Sequence, residues 1–439
     1  MSETPMGSAV HLELPSPAQS AAPETENRPR AVVRALSAVT FLEWFGASVG
    51  LPLLPVYLED RGASSVTVGL VVAAYFAAGV LLQYVFGRLV DKVTPAPVLR
   101  AGLVIFAIGG LTLALPLTPG LFALSRLLQG AGAGAAEVAA LAAVGAVVPA
   151  GQRGRAFASI YGSQLAGMAI GPMVGSLIGA FSVTAVFIAG GLISLLAWIP
   201  IALLRNRAGA DALRPAAITV EDGQAPDIDT PSPTEESART ASSMARRVLI
   251  GSLLSAAAFG LTVGVYETCW TLLLTQRGAA NWQVGLSWTL FALPFVIASR
   301  PAGRLADAVD RRYLVVISFS VALACCATYP FLHSLVTLMI LGVVEAAATA
   351  VAIPAVQSLL SQGVPVRRLG RAQGLFATSE TATTAIAAGI SGSLFAVRPW
   401  LPFVGGAVIG ILLIGMLPTI WAAVAGRATP TPALPAQRQ

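Results

Sequence analysis

The sequence contains little charge, little histidine and little cysteine. Only 11% of its 439 residues are charged, whereas a soluble domain carries about 25%, so a soluble globular enzyme is excluded. Two histidines, His11 and His333, and three cysteines, Cys269, Cys325 and Cys326, have no metal-ligand spacing and form no disulfide framework. The sequence also lacks the phosphate-loop motif Gly-x-x-x-x-Gly-Lys-Ser/Thr. We therefore expect no enzymatic activity, no cofactor and no use of ATP.

Long apolar runs take the place of charge. Hydrophobic residues make up 56% of the chain, and its mean hydropathy is +0.77. Blocks of about 20 residues recur, each long enough for a helix to cross the hydrocarbon layer of about 30 Å and too continuously apolar for a β-barrel. The sequence therefore predicts an all-α membrane protein with twelve spans. These lie near 35–58, 65–86, 97–117, 120–147, 155–179, 182–204, 248–275, 283–303, 313–332, 335–360, 370–396 and 400–425.

Three polar segments divide the chain. Residues 1–30 and 427–439 are polar and Pro-rich, and residues 206–246 contain seven acidic residues among Pro, Ser and Thr. Such compositions favour disorder. We therefore predict a disordered N-terminal tail, a six-helix bundle at 31–205, an acidic linker, a second six-helix bundle at 247–426 and a short C-terminal tail.

The basic residues are distributed unequally between the two sides. Of 27 Lys and Arg residues, only Arg61, Arg277 and Arg398 lie in the loops of one side. Cytoplasmic loops carry an excess of Lys and Arg, so we predict a multi-pass cell-membrane protein with both termini in the cytoplasm. The pI of about 9.6 then reflects topology, and we expect no nucleic-acid partner.

The chain contains an internal repeat. "YLEDRGASSVTVGL" (57–70) and "LTQRGAANWQVGL" (274–286) share Arg-Gly-Ala and Val-Gly-Leu at an offset of 216 residues, which also relates "GRLVDKV" (87–93) to "GRLADAV" (303–309). The pattern predicts two six-span halves. Parallel repeats of this kind are typical of transporters that rock around a site at the membrane midplane.

Three motifs give the chain a family resemblance. "GRLVDKV" resembles the Gly-x-Leu-x-Asp-Arg loop signature of the major facilitator superfamily, and "RLLQGAGAG" (126–134) resembles its fourth-span signature. "GMAIGPMVGSLIG" (167–179) resembles its fifth-span signature Gly-x-x-x-Gly-Pro-x-x-Gly. The resemblance covers residues 31–427. It implies two pseudo-symmetric six-helix bundles and the twelve-span drug:proton antiporter branch.

The resemblance also assigns a cytoplasmic gate. It would comprise Gly87, Arg88 and Asp91 in the first copy of the loop signature and Gly303 and Asp307 in the second. In the family interpretation Asp91 pairs with a nearby Arg and caps a helix N-terminus, where the helix dipole favours a negative charge. An ordinary loop acid is the alternative interpretation.

The fifth-span motif forms a stripe of glycines. Gly167, Gly171 and Gly175 recur every fourth residue, with Pro172 beside the second. Small residues four apart allow close helix packing in a bilayer, and Pro172 removes one backbone hydrogen bond. In the resembled family this helix meets the eighth span at the seam between the halves. We therefore expect the stripe to act there and to mark an exporter.

Ionisable residues inside the apolar spans are the main functional candidates. An ionised side chain at the bilayer centre costs ~2.5–3.5 kcal/mol on insertion scales, so each should face a wet cavity, pair with a cation or bind a proton. A structural ion pair or a side chain reaching the interface is the alternative for each acid. The candidates are Glu43, Arg126, Glu137, Glu267, Glu345 and Glu380.

Family resemblance suggests how these groups are arranged. Spans 1, 4, 7 and 10 line the central passage in the family, and all of the acids except Glu380 fall in these spans. We expect Glu43 to approach Arg126, and Gln129 to face Glu345, to which the repeat relates it. Glu43 and Glu345 are the expected proton carriers.

Aromatic residues near the acids suggest a substrate pocket. Trp44 is adjacent to Glu43, and Tyr266 and Trp270 flank Glu267. Aromatic faces attract cations with about 0.5–2 kcal/mol, although Trp and Tyr also anchor membrane interfaces. We predict that Trp44, Tyr266 and Trp270 form the pocket.

These patterns favour a proton-coupled exporter of lipophilic, cationic drug-like compounds. The protein would act as a monomer in the lipid bilayer, with protons and a small-molecule substrate as its only partners. A proton-coupled symporter or facilitator for a sugar or carboxylate is the alternative. A sensor of the same fold that transports nothing is a third possibility, and it would show no flux.

Overall fold

A computed structural model describes residues 22–115, 118–149, 152–208, 235–422 and 424. The described chain forms twelve long helices. They are α1 (Ala22–Gly50, continued by Leu51–Leu53 and Leu54–Glu59), α2 (Ser65–Val93), α3 (Pro95–Thr112), α4 (Pro119–Val147), α5 (Arg153–Gly179), α6 (Val183–Leu196, continued by Trp198–Ala208), α7 (Glu235–Gln276), α8 (Asn281–Ala308), α9 (Arg311–Thr328, continued by Tyr329–Phe331), α10 (Leu335–Gly363), α11 (Val366–Val397) and α12 (Leu401–Gly415, continued by Leu417–Ile420).

Each predicted apolar block corresponds to one helix. In the described ranges nine helices are long and apolar enough to cross a membrane. The other three, α5, α8 and α11, are 27, 28 and 32 residues long and contain more polar side chains. The predicted all-α membrane fold of twelve helices is confirmed. Helices α1 and α7 begin at Ala22 and Glu235, and the second part of α6 ends at Ala208, inside segments expected to be tail and linker. Residues 1–21 and 209–234 lie outside the described residues.

Local sequence signals explain several helix starts. The hydroxyl oxygens of Ser64, Ser182 and Ser334 accept hydrogen bonds from backbone N–H groups in the first turns of α2, α6 and α10. Asp310 does the same for α9, with a bond of 3.0 Å from the N–H of Arg312. A side-chain oxygen at this position satisfies a donor that has no partner within the helix.

The repeated Arg-Gly-Ala motif forms the same turn in both halves. Gly62 and Gly278 both have φ = +79°, a left-handed conformation that glycine adopts without a steric penalty. These turns lie at one end of the bundle, which we call the loop end. The opposite end, where α1 begins and α12 finishes, is called the terminal end.

The halves meet along two seams that the repeat relates to each other, α2 with α11 and α5 with α8. A Cβ atom added to Gly69 on α2 would lie 2.6 Å from the carbonyl oxygen of Ala388 on α11. One added to Gly285 on α8, the repeat counterpart of Gly69, would lie 2.5 Å from the carbonyl oxygen of Pro172 on α5. Both seams are therefore closed near the loop end.

The space between the halves opens towards the terminal end. Tyr161 on α5 is 49% exposed, although it interacts electrostatically with Glu380 on α11 of the other half. A Cβ atom on the neighbouring Gly162, or on Gly374 of α11, would meet no atom within 4 Å. Among the described residues, the helices thus enclose a central space that is closed at the loop end and open at the terminal end.

Candidate functional site

A cavity of about 400 Å³ lies inside the second half, between α7, α8, α9 and α10. We call it the aromatic cavity, because five aromatic side chains form most of its wall. They are Tyr266, Trp270, Trp288, Phe291 and Tyr329. Glu345 supplies the one carboxylate in the lining.

Two tyrosines hold Glu345 from α10. The hydroxyl of Tyr266 donates a hydrogen bond of 2.6 Å to Oε1, and that of Tyr329 donates one of 2.5 Å to Oε2. Only 2% of the Glu345 side chain is exposed. An ionised carboxylate only accepts hydrogen bonds, and hydrogen bonds to charged groups are stronger than neutral ones. This arrangement therefore stabilises negative charge in an apolar wall.

The rings around Glu345 contact one another edge to face. The ring centroids of Trp270 and Tyr329 are 4.8 Å apart, and those of Tyr266 and Phe291 are 6.2 Å apart. The indole of Trp270 donates a hydrogen bond of 3.0 Å to Ser287. The aromatic walls are therefore held in place by their own packing, as binding a cation against a ring face requires.

A second cavity, of about 310 Å³, lies inside the first half between α1, α3, α4 and α6. We call it the arginine cavity. Arg126 is only 5% exposed; its Nη1 donates a hydrogen bond of 2.9 Å to Oε1 of Gln129, and its guanidinium carbon lies 4.5 Å from the ring centroid of Tyr75. Nε of Arg126 is buried without a hydrogen-bond partner among the described residues.

Three of the four helices around each cavity correspond in the repeat: α1, α3 and α4 match α7, α9 and α10, whereas the fourth helix is α6 in one cavity and α8 in the other. Gln129 and Glu345 are related by the offset of 216 residues. The same offset relates Arg126 to Gly342, another residue that lines the aromatic cavity. The expectation that Gln129 faces Glu345 is wrong, since each binds partners within its own half.

The remaining four carboxylates form a separate group, which we call the central acids. Glu43 on α1 and Glu380 on α11 both interact electrostatically with Glu137 on α4, and Glu267 on α7 interacts with Arg126. Glu137 is exposed to the open central space. Oε2 of Glu267 is buried without a hydrogen-bond partner among the described residues.

This grouping corrects two expectations. The acid that interacts electrostatically with Arg126 is Glu267 from the opposite half, rather than Glu43. Glu380, which lies outside the spans that line the passage in the resembled family, belongs to the central acids, whereas Glu345 is separate from them. The spacing along each helix could not reveal this, because it does not fix how the helix is rotated within the bundle.

The structure places two of the three residues predicted for the aromatic pocket in one cavity. Tyr266 and Trp270 line the aromatic cavity, whereas Trp44 lines neither cavity. Sequence reasoning missed Trp288, Phe291 and Tyr329. Their helices meet α7 only in the folded bundle, and no motif near them in the chain signals the contact.

The glycine stripe contacts a helix of its own half. Cβ atoms added to Gly167 and Gly171 would collide with the backbone of α1 at Phe41 and Phe45. Gly175 fits directly against the carbonyl of Val49, also on α1. The expected location of these glycines at the seam is therefore wrong, since the α5 contacts with α8 come from the adjacent face.

That adjacent face carries Pro172 and Ser176, which contact Gly285 of α8. A period of four residues defines one face of a helix, but it does not identify the neighbour that this face meets. Helix α5 contacts both α1 and α8, and its glycines contact α1 while Pro172 contacts α8.

The predicted gate is described only in part. Gly87 lies on α2 with open space where a Cβ would be, and Arg88 is exposed. The side chains of Asp91 and Asp307, and the surroundings of Gly303, lie outside the described residues. The gate stays a prediction.

A family model described as Major Facilitator Superfamily matches residues 36–276 and 248–439. Over 159 residues the chain is 28% identical to "Quinolone resistance protein NorA" of Staphylococcus aureus strain MRSA252, covering 36% of this chain and 41% of NorA. Over 153 residues it is 31% identical to "Uncharacterized MFS-type transporter MT1926" of Mycobacterium tuberculosis strain CDC 1551 / Oshkosh, covering 35% and 20%. Each match therefore spans less than half of the relative's length.

Solved structures share the fold over most of the chain. The nucleoside transporter NupG superposes with a TM-score of 0.67 at 16% identity, covering 89% of this chain and 100% of its own. A POT family transporter in complex with a thioalcohol conjugated peptide superposes with a TM-score of 0.68 at 14% identity, covering 89% and 96%. At such identities the likeness shows the architecture alone.

Proposed function

Because the chain belongs to the major facilitator superfamily, we propose that it exports lipophilic, cationic drug-like compounds in exchange for protons. The partial similarity to a quinolone resistance protein supports the drug:proton antiporter branch. We place the protein in the cell membrane with both termini in the cytoplasm, as the distribution of Lys and Arg favours.

The observation that carries this proposal is Glu345 inside the aromatic cavity. A lipophilic cation there would interact with the ring faces, each contact contributing about 0.5–2 kcal/mol, and with the negative charge of Glu345. A proton on Glu345 would remove that charge. The cation and the proton therefore compete for one carboxylate, which is the basis of an exchange.

The central acids would give protons a path between the halves. Glu137 is exposed in the central space and interacts with Glu43 and Glu380. Like charges close together favour proton uptake, because a proton on one group relieves the repulsion from its neighbours. Proton uptake by this group and cation release from the aromatic cavity would then accompany the movement of the halves.

The conformation fits the loading step of an exporter. The space between the halves opens at the terminal end, which carries both ends of the described chain, and closes at the loop end. With the terminal end in the cytoplasm, substrate would enter from the cytoplasm or the inner leaflet. Export would follow when the seams at Gly69 and Gly285 open and the terminal end closes.

The test uses purified full-length protein in liposomes with an acidic lumen and a pH-sensitive dye inside. A panel of lipophilic cations, neutral drugs, sugars and organic acids is added to the outside. We expect only the cations to release protons from the lumen. Glu345→Gln should abolish this release, and Glu59→Gln, at the loop end outside both cavities, should preserve it.

Two results would contradict the proposal. If a sugar or an organic acid causes proton movement and the cations cause none, the result would indicate the symporter. Undiminished proton release by Glu345→Gln would remove the aromatic cavity from the coupling. For the second result, size-exclusion chromatography of Glu345→Gln checks that the variant is folded.

A further inference from the structure

Among the residues that the structure describes, the buried positive charge of Arg126 in the arginine cavity has no anionic hydrogen-bond partner. Arg126 donates one hydrogen bond to the neutral Gln129 through Nη1, and its Nε has no acceptor among the described residues. Burying a charge is costly unless the charge is paired and hydrogen-bonded. The ring of Tyr75 offsets only part of this cost.

The buried acids nearby do not fill this role. Glu267 interacts electrostatically with Arg126 but comes from the opposite half, and its own Oε2 has no hydrogen-bond partner among the described residues. Glu43 interacts with Glu137 instead. The acid that interacts electrostatically with Arg126 is therefore one with which Arg126 forms no hydrogen bond in the described part of the chain.

The cavity beside Arg126 offers donors and no acidic group. Its lining contains five glycines, and Arg126 and Gln129 are its only polar side chains. Since Oε1 of Gln129 accepts from Arg126, the amide nitrogen of Gln129 is left to donate. A Cβ atom on Gly110 would lie 3.2 Å from that nitrogen, so the glycine leaves room around it.

We propose that the arginine cavity is a binding site for a small carboxylate-type anion. The planar guanidinium matches the two oxygens of a carboxylate, and the amide of Gln129 supplies a further donor. The anion could be a free ion from the solvent or the acidic group of a larger substrate. Either source presents the same chemistry to Arg126.

Close helix packing alone does not explain the whole lining. Gly46 and Gly190 allow their helices to pack closely, because added Cβ atoms would collide with the backbone of the facing helix. At Gly110, in contrast, the nearest atom is the side-chain nitrogen of Gln129. Packing also leaves the charge of Arg126 without an anion.

The experiment measures thermal unfolding of the purified full-length protein in nanodiscs. Sodium acetate, nitrate, chloride or gluconate is titrated at constant pH and ionic strength. We expect acetate to raise the melting temperature with a saturable dose dependence and the bulky gluconate to have no effect. Arg126→Gln should weaken acetate binding at least about tenfold, a change of ~1.4 kcal/mol.

Two further variants keep the test decisive if Arg126→Gln folds poorly. Gly110→Ala retains the charge but narrows the cavity at the Gln129 amide, so acetate binding should weaken. Gly405→Ala, where a Cβ would meet no atom within 4 Å, should behave as the wild type. Glu345→Gln alters only the aromatic cavity and should leave the acetate response intact, which separates this site from the proposed exchange.

A compound with a carboxylate on a lipophilic body distinguishes the two sources. If it binds more tightly than acetate and competes with it, the anion is a group of the substrate. If acetate binds more tightly, the anion is a free ion. Equal melting temperatures in all salts, or an unchanged acetate response in Arg126→Gln, would overturn the proposal and leave Arg126 to pair with Glu267.

Discussion

The two halves of the chain place opposite chemistry at matching positions. In the first half Arg126 and Gln129 lie against a glycine-lined cavity; in the second half the corresponding positions carry Gly342 and Glu345 within an aromatic wall. The repeat thus preserves a cavity against three corresponding helices of each half. The substitutions between its copies determine which charge the cavity can bind.

In a duplicated transporter, the positions shared by the two copies and the positions that differ between them have different roles. Features shared by both copies, such as the turns at Gly62 and Gly278, build the fold. Features that differ, such as the carboxylate held by two tyrosines, distinguish the two cavities chemically. A difference between equivalent positions in the copies therefore carries more functional information than either motif alone.

Exchanging the two matching residues should have the largest effect. The double variant Gln129→Glu with Glu345→Gln keeps the number of acids but moves the carboxylate beside Arg126, where it forms an ion pair. Cation-driven proton release in liposomes should be lost completely. Gln129→Glu alone serves as the control and should keep proton release while losing the acetate response. Transport by the double variant would mean that the half carrying the acid is irrelevant.

Removing one of the tyrosine hydroxyls should have a smaller effect. Tyr329→Phe deletes one of two hydrogen bonds to Glu345, and a hydrogen bond to a charged group contributes about 1.5–3 kcal/mol. The carboxylate then competes less well against its protonated form. We expect the cation concentration for half-maximal proton release to rise about tenfold, and to recover partly at higher pH.

Tyr313→Phe provides the matched control, because Tyr313 lies on the same helix but is 64% exposed. An unchanged half-maximal concentration in Tyr329→Phe would mean that the hydrogen bond is structural. A rise that higher pH does not reverse would point instead to damaged packing of the aromatic wall.

Part of this architecture follows from the sequence. Apolar length predicts the twelve helices, the offset of 216 residues predicts the two halves, and the cost of burying charge marks six ionisable residues as candidates, Arg126 and Glu345 among them. Tyr266 and Trp270 were also predicted for the pocket. All of these predictions depend on composition, spacing or repetition, which a single chain displays directly.

The differences between these expectations and the structure have a common physical origin. Trp44 is predicted for the pocket from its place next to Glu43, whereas the approach of Glu43 to Arg126 and the location of the glycine stripe at the seam follow from the family resemblance. Each inference needed the rotation of a helix about its axis and the identity of its neighbour. Both are set by packing among all twelve helices, and no local pattern encodes them.

The same contrast between halves appears in how the helices approach each other. In the first half the glycines lie on α5, where Gly171 and Gly175 contact α1. In the second half α11 carries Ala387 and Ser391 at these positions, and Gly264 of the partner helix α7 makes the close contact instead. Both pairs of helices are therefore closely packed, but the glycine lies on α5 in the first pair and on α7 in the second.

Gly175→Ala tests this last contrast and should have the smallest effect, on stability rather than coupling. The new methyl group would press on the backbone carbonyl of Val49, which cannot rotate away as a side chain could. Overpacking costs about 1–3 kcal/mol, so the full-length variant in detergent should melt several degrees below the wild type. Gly264→Ala should cost a similar amount, since a Cβ there would lie 2.5 Å from the carbonyl oxygen of Thr384 on α11.

Gly162→Ala is the control on α5 itself, because a Cβ at this position meets no atom within 4 Å, and its melting temperature should match the wild type. If Gly175→Ala and Gly162→Ala melt alike, the glycine at 175 is not needed for contact with α1. If Gly175→Ala keeps its stability but blocks transport, the glycine acts in the movement of the halves, as the family resemblance had implied.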